Sequence, residues 1–327
     1  MHAIALIGAG RIGRIHAANI AAHSRLRLLH VVDRDVDAAA SLAERHGARS
    51  ADADAAINDP EVAGIIVASA TDTHIAYTIA AAEAGKPVLC EKPLDQSLAA
   101  AVAAADRLDA LGARVLLGFN RRFDPHFAAL RARLAGGAVG ALESLHIVSH
   151  DPAPPPPAYV AGSGGMFTDM VIHDFDMARW LLDEEPVGVF ASASCLIDPA
   201  IGAAGDVDTA RTVLRTASGR LCSISSSRRS GYGYDQRIEA FGARGMLRVG
   251  NVAETMVETW HEEGATRDRL QNFFLDRYAA AYRAELDHFA EVIAGAAPAI
   301  THRDGVAALA LAAAATRSLH IGRMETP

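Results

Sequence analysis

The sequence predicts an α/β fold, with an N-terminal doubly wound parallel sheet followed by an α+β domain built on a largely antiparallel open sheet. Three observations carry this. A glycine-rich turn, Gly8-Ala9-Gly10-Arg11-Ile12-Gly13, directly follows an apolar strand pattern and opens a helical one. Short apolar runs then alternate with alanine-rich helical stretches to about residue 118, the rhythm of parallel βαβ units. Beyond Gly118 the apolar runs succeed one another with only short turns between, the pattern of hairpins. At 327 residues the chain is long enough for two domains, expected at 1–120 and 121–327.

The expected strands of the first domain are Ala3 to Ile7, Leu26 to Val32, Gly64 to Ala68, Pro87 to Cys90 and Arg114 to Leu117. Between them Asp35 to His46, Thr73 to Ala84 and Asp95 to Leu111 have helical apolar spacing, and Gly47, Gly85 and Gly112 follow as C-terminal caps. The second domain opens with a helix over Pro125 to Leu134 and a strand over Leu142 to Ser149. Four consecutive prolines, Pro154 to Pro157, then forbid helix and central strand. That run is either a stiff connector or a loop forming one wall of a substrate cleft. Strands are expected at Val187 to Ile197, Thr209 to Thr216, Arg220 to Ser227, Gln236 to Phe241, Met246 to Val249 and Thr255 to Trp260. Helices over Asn272 to Ala294 and Arg303 to Ile321 close the chain. The free face of the C-terminal sheet needs a cover, and self-association is the simplest.

Composition excludes several classes. Half of the residues are hydrophobic and the net charge is -8, so there is no basic surface for nucleic acid. Cys90, Cys195 and Cys222 are widely spaced with no CxxC pair, which suits a reducing compartment and argues against disulfides or structural zinc. The first residues run straight into Gly8 with no basic leader, and the longest apolar run, Val306 to Ala315, is about half a membrane span. A cytoplasmic protein with neither nucleic-acid nor membrane partner is expected.

The glycine turn fits the dinucleotide-binding, or Rossmann, arrangement. Gly8, Gly10 and Gly13 permit the tight turn and close backbone approach, and Arg11 and Ile12 begin the helix whose amides meet a pyrophosphate. Asp33, twenty residues beyond Gly13, ends the second strand; a carboxylate there accepts from ribose hydroxyls and repels a 2'-phosphate, favouring NAD over NADP. Arg34 either offsets that repulsion or is a solvated helix-start residue. Ala70, Thr71 and His74 follow the third expected strand at the carboxyl edge where ligands of such folds bind. Thr73 alternatively caps the next helix, and His74 either lines the nicotinamide pocket or packs in the first turn.

Glu91-Lys92-Pro93 lies at the same edge, and a proline after Lys92 keeps the lysine backbone extended. An ammonium there can orient a reacting hydroxyl. In the second domain Asp169 and His173 are four residues apart on an expected helix, about 5 to 6 Å at Cβ, so the carboxylate can orient the imidazole as a general base. Asp174 and Asp176 point elsewhere, to cap or make ion pairs. No HExxH or Cys/His cluster marks a metal site. Together these groups fit a pyridine-nucleotide dehydrogenase.

Five motifs resemble the Gfo/Idh/MocA oxidoreductases over nearly the full chain. They are Gly8 to Gly13, Cys90 to Pro93, Gly118 to Pro125, Ser163 to Arg179 and Tyr232 to Arg237, the last three being closer to its inositol-oxidising branch. The resemblance implies NAD-dependent oxidation of myo-inositol to 2-keto-myo-inositol, with Lys92, Asp169 and His173 as the catalytic set and His173 accepting the proton. It also implies that Arg122 and one of Tyr232 or Tyr234 contact substrate hydroxyls, beside the plain readings of a surface ion pair and sheet packing. A homotetramer joined through the C-terminal sheets is implied as well. Another inositol isomer, a sugar, redox-assisted glycoside hydrolysis or a nucleotide-sensing regulator are the alternative readings.

Overall fold

The computed structural model describes residues 1–327, the side chain of Pro157 excepted. It divides into two compact units, Met1–Asn120 with Ala281–Ala307, and Arg121–Ala280 with Ala308–Pro327.

In unit 1, β1 (His2–Ile7), α1 (Arg11–Ala21), β2 (Leu26–Val32), α2 (Val36–Arg45), β3 (Arg49–Ser50), α3 (Ala53–Asn58), β4 (Val62–Val67), α4 (His74–Glu83), β5 (Val88–Glu91), α5 (Leu98–Ala110) and β6 (Val115–Gly118) follow in order. The strands form a parallel sheet in the order β3-β2-β1-β4-β5-β6, the doubly wound topology, whose order reverses between β1 and β4. Their near-continuous apolar sequences follow from helices covering both faces: Ile4, Leu6, Ile65, Ile66, Leu89 and Leu116 have no exposed surface. Gly47, Gly85 and Gly112 take positive φ just beyond α2, α4 and α5, as the sequence predicts for caps. Strand β3 and helix α3 have no counterpart in the sequence reading. Two exposed residues form β3, and Asp52 caps α3 by accepting from the Ala55 amide at 2.8 Å.

In unit 2, α6 (Pro125–Ala135), β7 (Leu142–His150), α7 (Pro157–Val160), α8 (Ile172–Leu182), β8 (Pro186–Ser194), α9 (Pro199–Ala203), β9 (Thr209–Thr216), β10 (Leu221–Ser227), β11 (Asp235–Gly242) and β12 (Gly245–Val249) follow. The sheet order is β12-β11-β7-β10-β9-β8, and its pairs are antiparallel except β7 with β10. The sheet is therefore largely antiparallel, with the parallel pair enforced by the long connection from β7 to β10. Its buried face includes Leu145, Ile147, Leu214, Cys222, Ile224 and Ile238, and α8 packs against β7.

Several sequence expectations are corrected. The proline run does not exclude helix throughout, because Pro157 opens α7 at the first helical position, where a missing N–H costs nothing. The strand expected over 255–260 is a separate hairpin of β13 (Glu258–His261) and β14 (Gly264–Arg267), all exposed. The helix expected over 272–294 is broken at Tyr278 into α10 (Phe274–Arg277) and α11 (Ala279–Ile293). Nor is 121–327 one domain. Most of α11 and the start of α12 (His302–Ile321) belong to unit 1. There Gly64 of β4 leaves room for α11, since a Cβ would lie 2.8 Å from Ile293 Cδ1. The Leu117 amide donates to the Ile300 carbonyl at 3.0 Å, so the returning segment supplies hydrogen bonds to β6.

No helix among the described residues is long and apolar enough to cross a membrane. Cys90 and Cys222 are buried and Cys195 is half-buried, all as free thiols.

Candidate active site

Unit 1 presents a dinucleotide cradle. Gly8 has φ +115°, and a Cβ on it would fall 2.3 Å from the Ala68 carbonyl oxygen; one on Gly13 would fall 1.9 Å from that of Gly8. These two glycines close the turn against β4. Gly10, in contrast, has open space where a Cβ would be, at the N-terminus of α1, where no side chain caps the helix. Open space beside uncapped amides fits a pyrophosphate. Asp33 Oδ2 accepts from the Ala9 amide at 2.6 Å and Oδ1 from the Asp35 amide at 2.9 Å, which locks the carboxylate beside the turn. Arg34 is exposed. The donor set thus fits NAD, which Gly8, Gly10, Gly13, Asp33 and the first turn of α1 with Arg11 and Ile12 would hold.

After β4, Ala70 is exposed and Thr71 half-buried, available to a ligand at the switch point. His74 is not: 2 % exposed, it hydrogen-bonds the Pro93 carbonyl through Nδ1 at 2.8 Å and the Ser69 carbonyl through Nε2 at 3.1 Å. Glu91 also turns inward, 2.7 Å from His16 Nε2. Lys92, the next residue, is half-buried.

Glu285 joins His16 and Glu91, with ligand atoms all within 4.8 Å of one another. The 2.7 Å His16–Glu91 contact is a hydrogen bond, shorter than the roughly 3.3 Å that 2.0 to 2.1 Å tetrahedral bonds place between two ligands of one ion. Burial and the neighbouring Glu91 charge push the Glu285 carboxyl well above its ordinary pKa.

Unit 2 carries the acid–imidazole pair. Asp169 lies in a π-helical turn, Phe167–Val171, that runs into α8, whose second residue is His173; both side chains are half-buried. A π turn has about 4.4 residues per turn against 3.6, and residues four apart stay on one side in either. The entry into this helix is fixed at Gly165, whose φ is +83° and whose Cβ would be 3.1 Å from Asp206 Oδ1. That oxygen accepts from the Met166 amide at 3.0 Å, while Asp206 Oδ2 faces Arg228 Nη2 at 3.3 Å. Arg228, 1 % exposed, also lies 3.7 Å from Asp169 Oδ2. Tyr159, on α7, donates its hydroxyl to Asp169 Oδ1 at 2.9 Å. The chain just after the four prolines therefore contributes a side chain to the acid.

Adjacent arginines separate in role. A tight turn at Asn120–Phe123 sends Arg121 inward, 5 % exposed and 2.6 Å from Asp174 Oδ1, with its guanidinium 5.5 Å from the Tyr278 ring centre. Arg122 forms a two-pronged pair with Asp176, Nε to Oδ2 at 2.9 Å and Nη2 to Oδ1 at 2.5 Å. Asp174 and Asp176 are thus ion-pair partners, as the sequence suggested. The tyrosines separate too. Tyr232 is exposed and donates to Asp235 Oδ2 at 2.6 Å, beside Arg237 and Asn251. Tyr234 is buried edge-on against Tyr278, within the fields of Arg121, Asp151 and Asp174.

Asp151 was not singled out by the sequence. It keeps some exposed surface, but protein surrounds it densely enough that desolvation pushes its carboxyl up to about 6, against Arg121 and Arg228 and with Asp169 and Asp174. Its one sequence signal is an acid directly preceding the proline run. Unit 2 thereby gathers acids, arginines and a tyrosine around Asp169, a surface suited to a ligand with many hydroxyls.

Similarity to known proteins agrees with this chemistry. Residues 2–119 match the model of an oxidoreductase family with an NAD-binding Rossmann fold, and 127–248 that of a GFO/IDH/MocA C-terminal domain. An inositol 2-dehydrogenase of Rhizobium meliloti is 44% identical over 315 residues, 96% of either chain. The crystal structure of a myo-inositol dehydrogenase from Corynebacterium glutamicum superposes with a TM-score of 0.96 at 44% identity, covering 100% of this chain and 98% of that one. A scyllo-inositol dehydrogenase from Lactobacillus casei, solved with NAD(H) and scyllo-inositol, gives 0.91 at 26% identity over 100% and 99%. With a parallel sheet of the doubly wound order, an NAD cradle and relatives matching almost end to end, the chain belongs to the Gfo/Idh/MocA family of NAD-dependent oxidoreductases.

Proposed function

We propose that the protein oxidises myo-inositol to 2-keto-myo-inositol with His173 accepting the hydroxyl proton. The observation that carries this reading is the Asp169–His173 pair on one helix, its acid held by Tyr159 and by Arg228. NAD, when bound, supplies a hydride acceptor. Secondary-alcohol oxidation also requires a base, and an imidazole on the same helical stretch as a held carboxylate is suited to it. Lys92, from unit 1, hydrogen-bonds and orients the reacting hydroxyl in this scheme. Asp151, Arg121 and Tyr234 extend the polar surface, so a polyol with one misplaced hydroxyl leaves a buried partner unsatisfied. Arg122 and Tyr232, held by Asp176 and Asp235, are assigned to positioning instead of direct substrate contact. Asp33 favours NAD over NADP.

A homotetramer is the proposed assembly. Leu221, Phe241 and Met246, each about half exposed, fall in one cross-strand row through Ser144, and Met256 and Trp260 project from the region beyond. An apolar row on an open sheet supports self-association.

The test is NADH formation, followed by absorbance, across the inositol isomers and related sugars with NAD and NADP. Highest kcat/KM with myo-inositol and NAD is expected; no turnover of any inositol removes the substrate assignment. Preference for scyllo-inositol is the second reading, favoured by the Lactobacillus casei relative.

A further inference from the structure

The His74 ring bridges two loops of unit 1 through its two nitrogens. It stands at the first residue of α4, buried, with Nδ1 at 2.8 Å from the Pro93 carbonyl oxygen and Nε2 at 3.1 Å from that of Ser69. Both partners are carbonyls, which only accept. A neutral imidazole has one N–H and one lone pair, so either tautomer would set a lone pair against one carbonyl. The imidazolium alone donates in both directions.

The two carbonyls belong to the segments that matter most in the proposed reaction. Ser69 begins the loop carrying Ala70 and Thr71, and its hydroxyl lies 2.7 Å from that of Thr73, which donates to the Ala70 carbonyl. Pro93 directly follows Lys92. We propose that His74 is a fixed imidazolium that acts as a positioning residue, tying the loop after β4 to the Lys92 corner after β5 and so setting where the lysine ammonium stands. This deepens the dehydrogenase reading and rests on the role given there to Lys92.

The environment is consistent with a buried cation. Desolvation works against the charge, and so does the N-terminal end of α4. Negative charge on the Cys90 sulfur, when that thiol ionises, together with the hydrogen bonds to the two carbonyls outweighs this and raises the ring to about 9. With both ring nitrogens donating to carbonyls, His74 has no lone pair with which to take a proton from substrate.

The experiment has two arms. Solid-state ¹⁵N spectra of the full-length protein labelled at histidine ring nitrogens, recorded at pH 8, are compared with those of His74→Gln, or His74→Asn should the first not fold. The expected result is a ring with both nitrogens protonated in the parent and missing from the variant. A parent spectrum with no doubly protonated ring, or one that both variants retain, overturns the proposal. In the second arm the variant's kcat for the best polyol falls at least tenfold, NAD Kd changes less than threefold, and the kinetic isotope effect with substrate deuterated at the reacting carbon rises. An unchanged kcat and isotope effect overturn the positioning role even if the ring is cationic. Absence of polyol turnover in the parent would reject the dehydrogenase reading and with it the positioning role, while the spectra still decide the charge state independently.

Discussion

Tyr159 donates its hydroxyl to Asp169 at 2.9 Å, joining the short helix that ends the proline run to the acid of the acid–imidazole pair. A hydrogen bond to a carboxylate contributes about 1.5 to 3 kcal/mol when buried, and Tyr159 is 52 % exposed, so the lower end applies. Tyr159→Phe should lower kcat by about tenfold and leave NAD affinity unchanged. Steady-state kinetics with NAD titration check this; unchanged kcat would show that Asp169 does not need the contact.

Asp33 sits against the glycine turn with both oxygens accepting backbone amides. Asp33→Ala removes the repulsion of a 2'-phosphate and leaves Arg34 available to it. The kcat/KM ratio of NADP to NAD should rise by about tenfold or more, roughly 1.4 kcal/mol. A constant ratio would assign cofactor choice elsewhere.

Asp151 gives a pH-dependent signature. Its carboxyl is raised in the folded state to about 6 from an ordinary 3.8, so the native protein binds that proton more tightly than the unfolded chain. The stabilisation is complete below about 3.8 and is lost as pH rises through about 6. Asp151→Asn keeps the shape without the charge. Its melting temperature relative to the parent should therefore increase between pH 4 and pH 7, as thermal unfolding at matched ionic strength would reveal. A pH-independent difference would mean that Asp151 is not raised.

Much of the architecture was legible because its physical causes are local. Strands covered on both faces must be apolar throughout, which made β1, β2 and β4 visible, and the glycine turn announces itself by spacing. Strand β3 was invisible because two exposed residues carry no pattern. The return of 281–307 to unit 1 depends on packing at Gly64 and pairing at Leu117, neither of which a sequence period encodes. The same division holds at the site. Spacing placed Asp169 and His173 on one helical stretch, and they lie in the π turn and the helix it runs into. Arg121 and Arg122 are chemically identical neighbours, and only the tight turn at Asn120–Phe123 decides that one meets Asp174 and the other Asp176. Tyr232 and Tyr234 are two apart, as on one face of a strand, but Gly233 between them has φ +117° and breaks the alternation. Asp151 owes its character to burial, which its neighbours in sequence do not reveal.

The central proposal is that Lys92 and His173 are each required for the oxidation. It is tested most directly by NADH formation from myo-inositol in Lys92→Ala and His173→Ala, with NAD binding measured on the same preparations. The account predicts a loss of about 10² to 10⁴ in kcat for each variant with NAD affinity retained. Rates within about twofold of the parent in both, at full NAD binding, would contradict it.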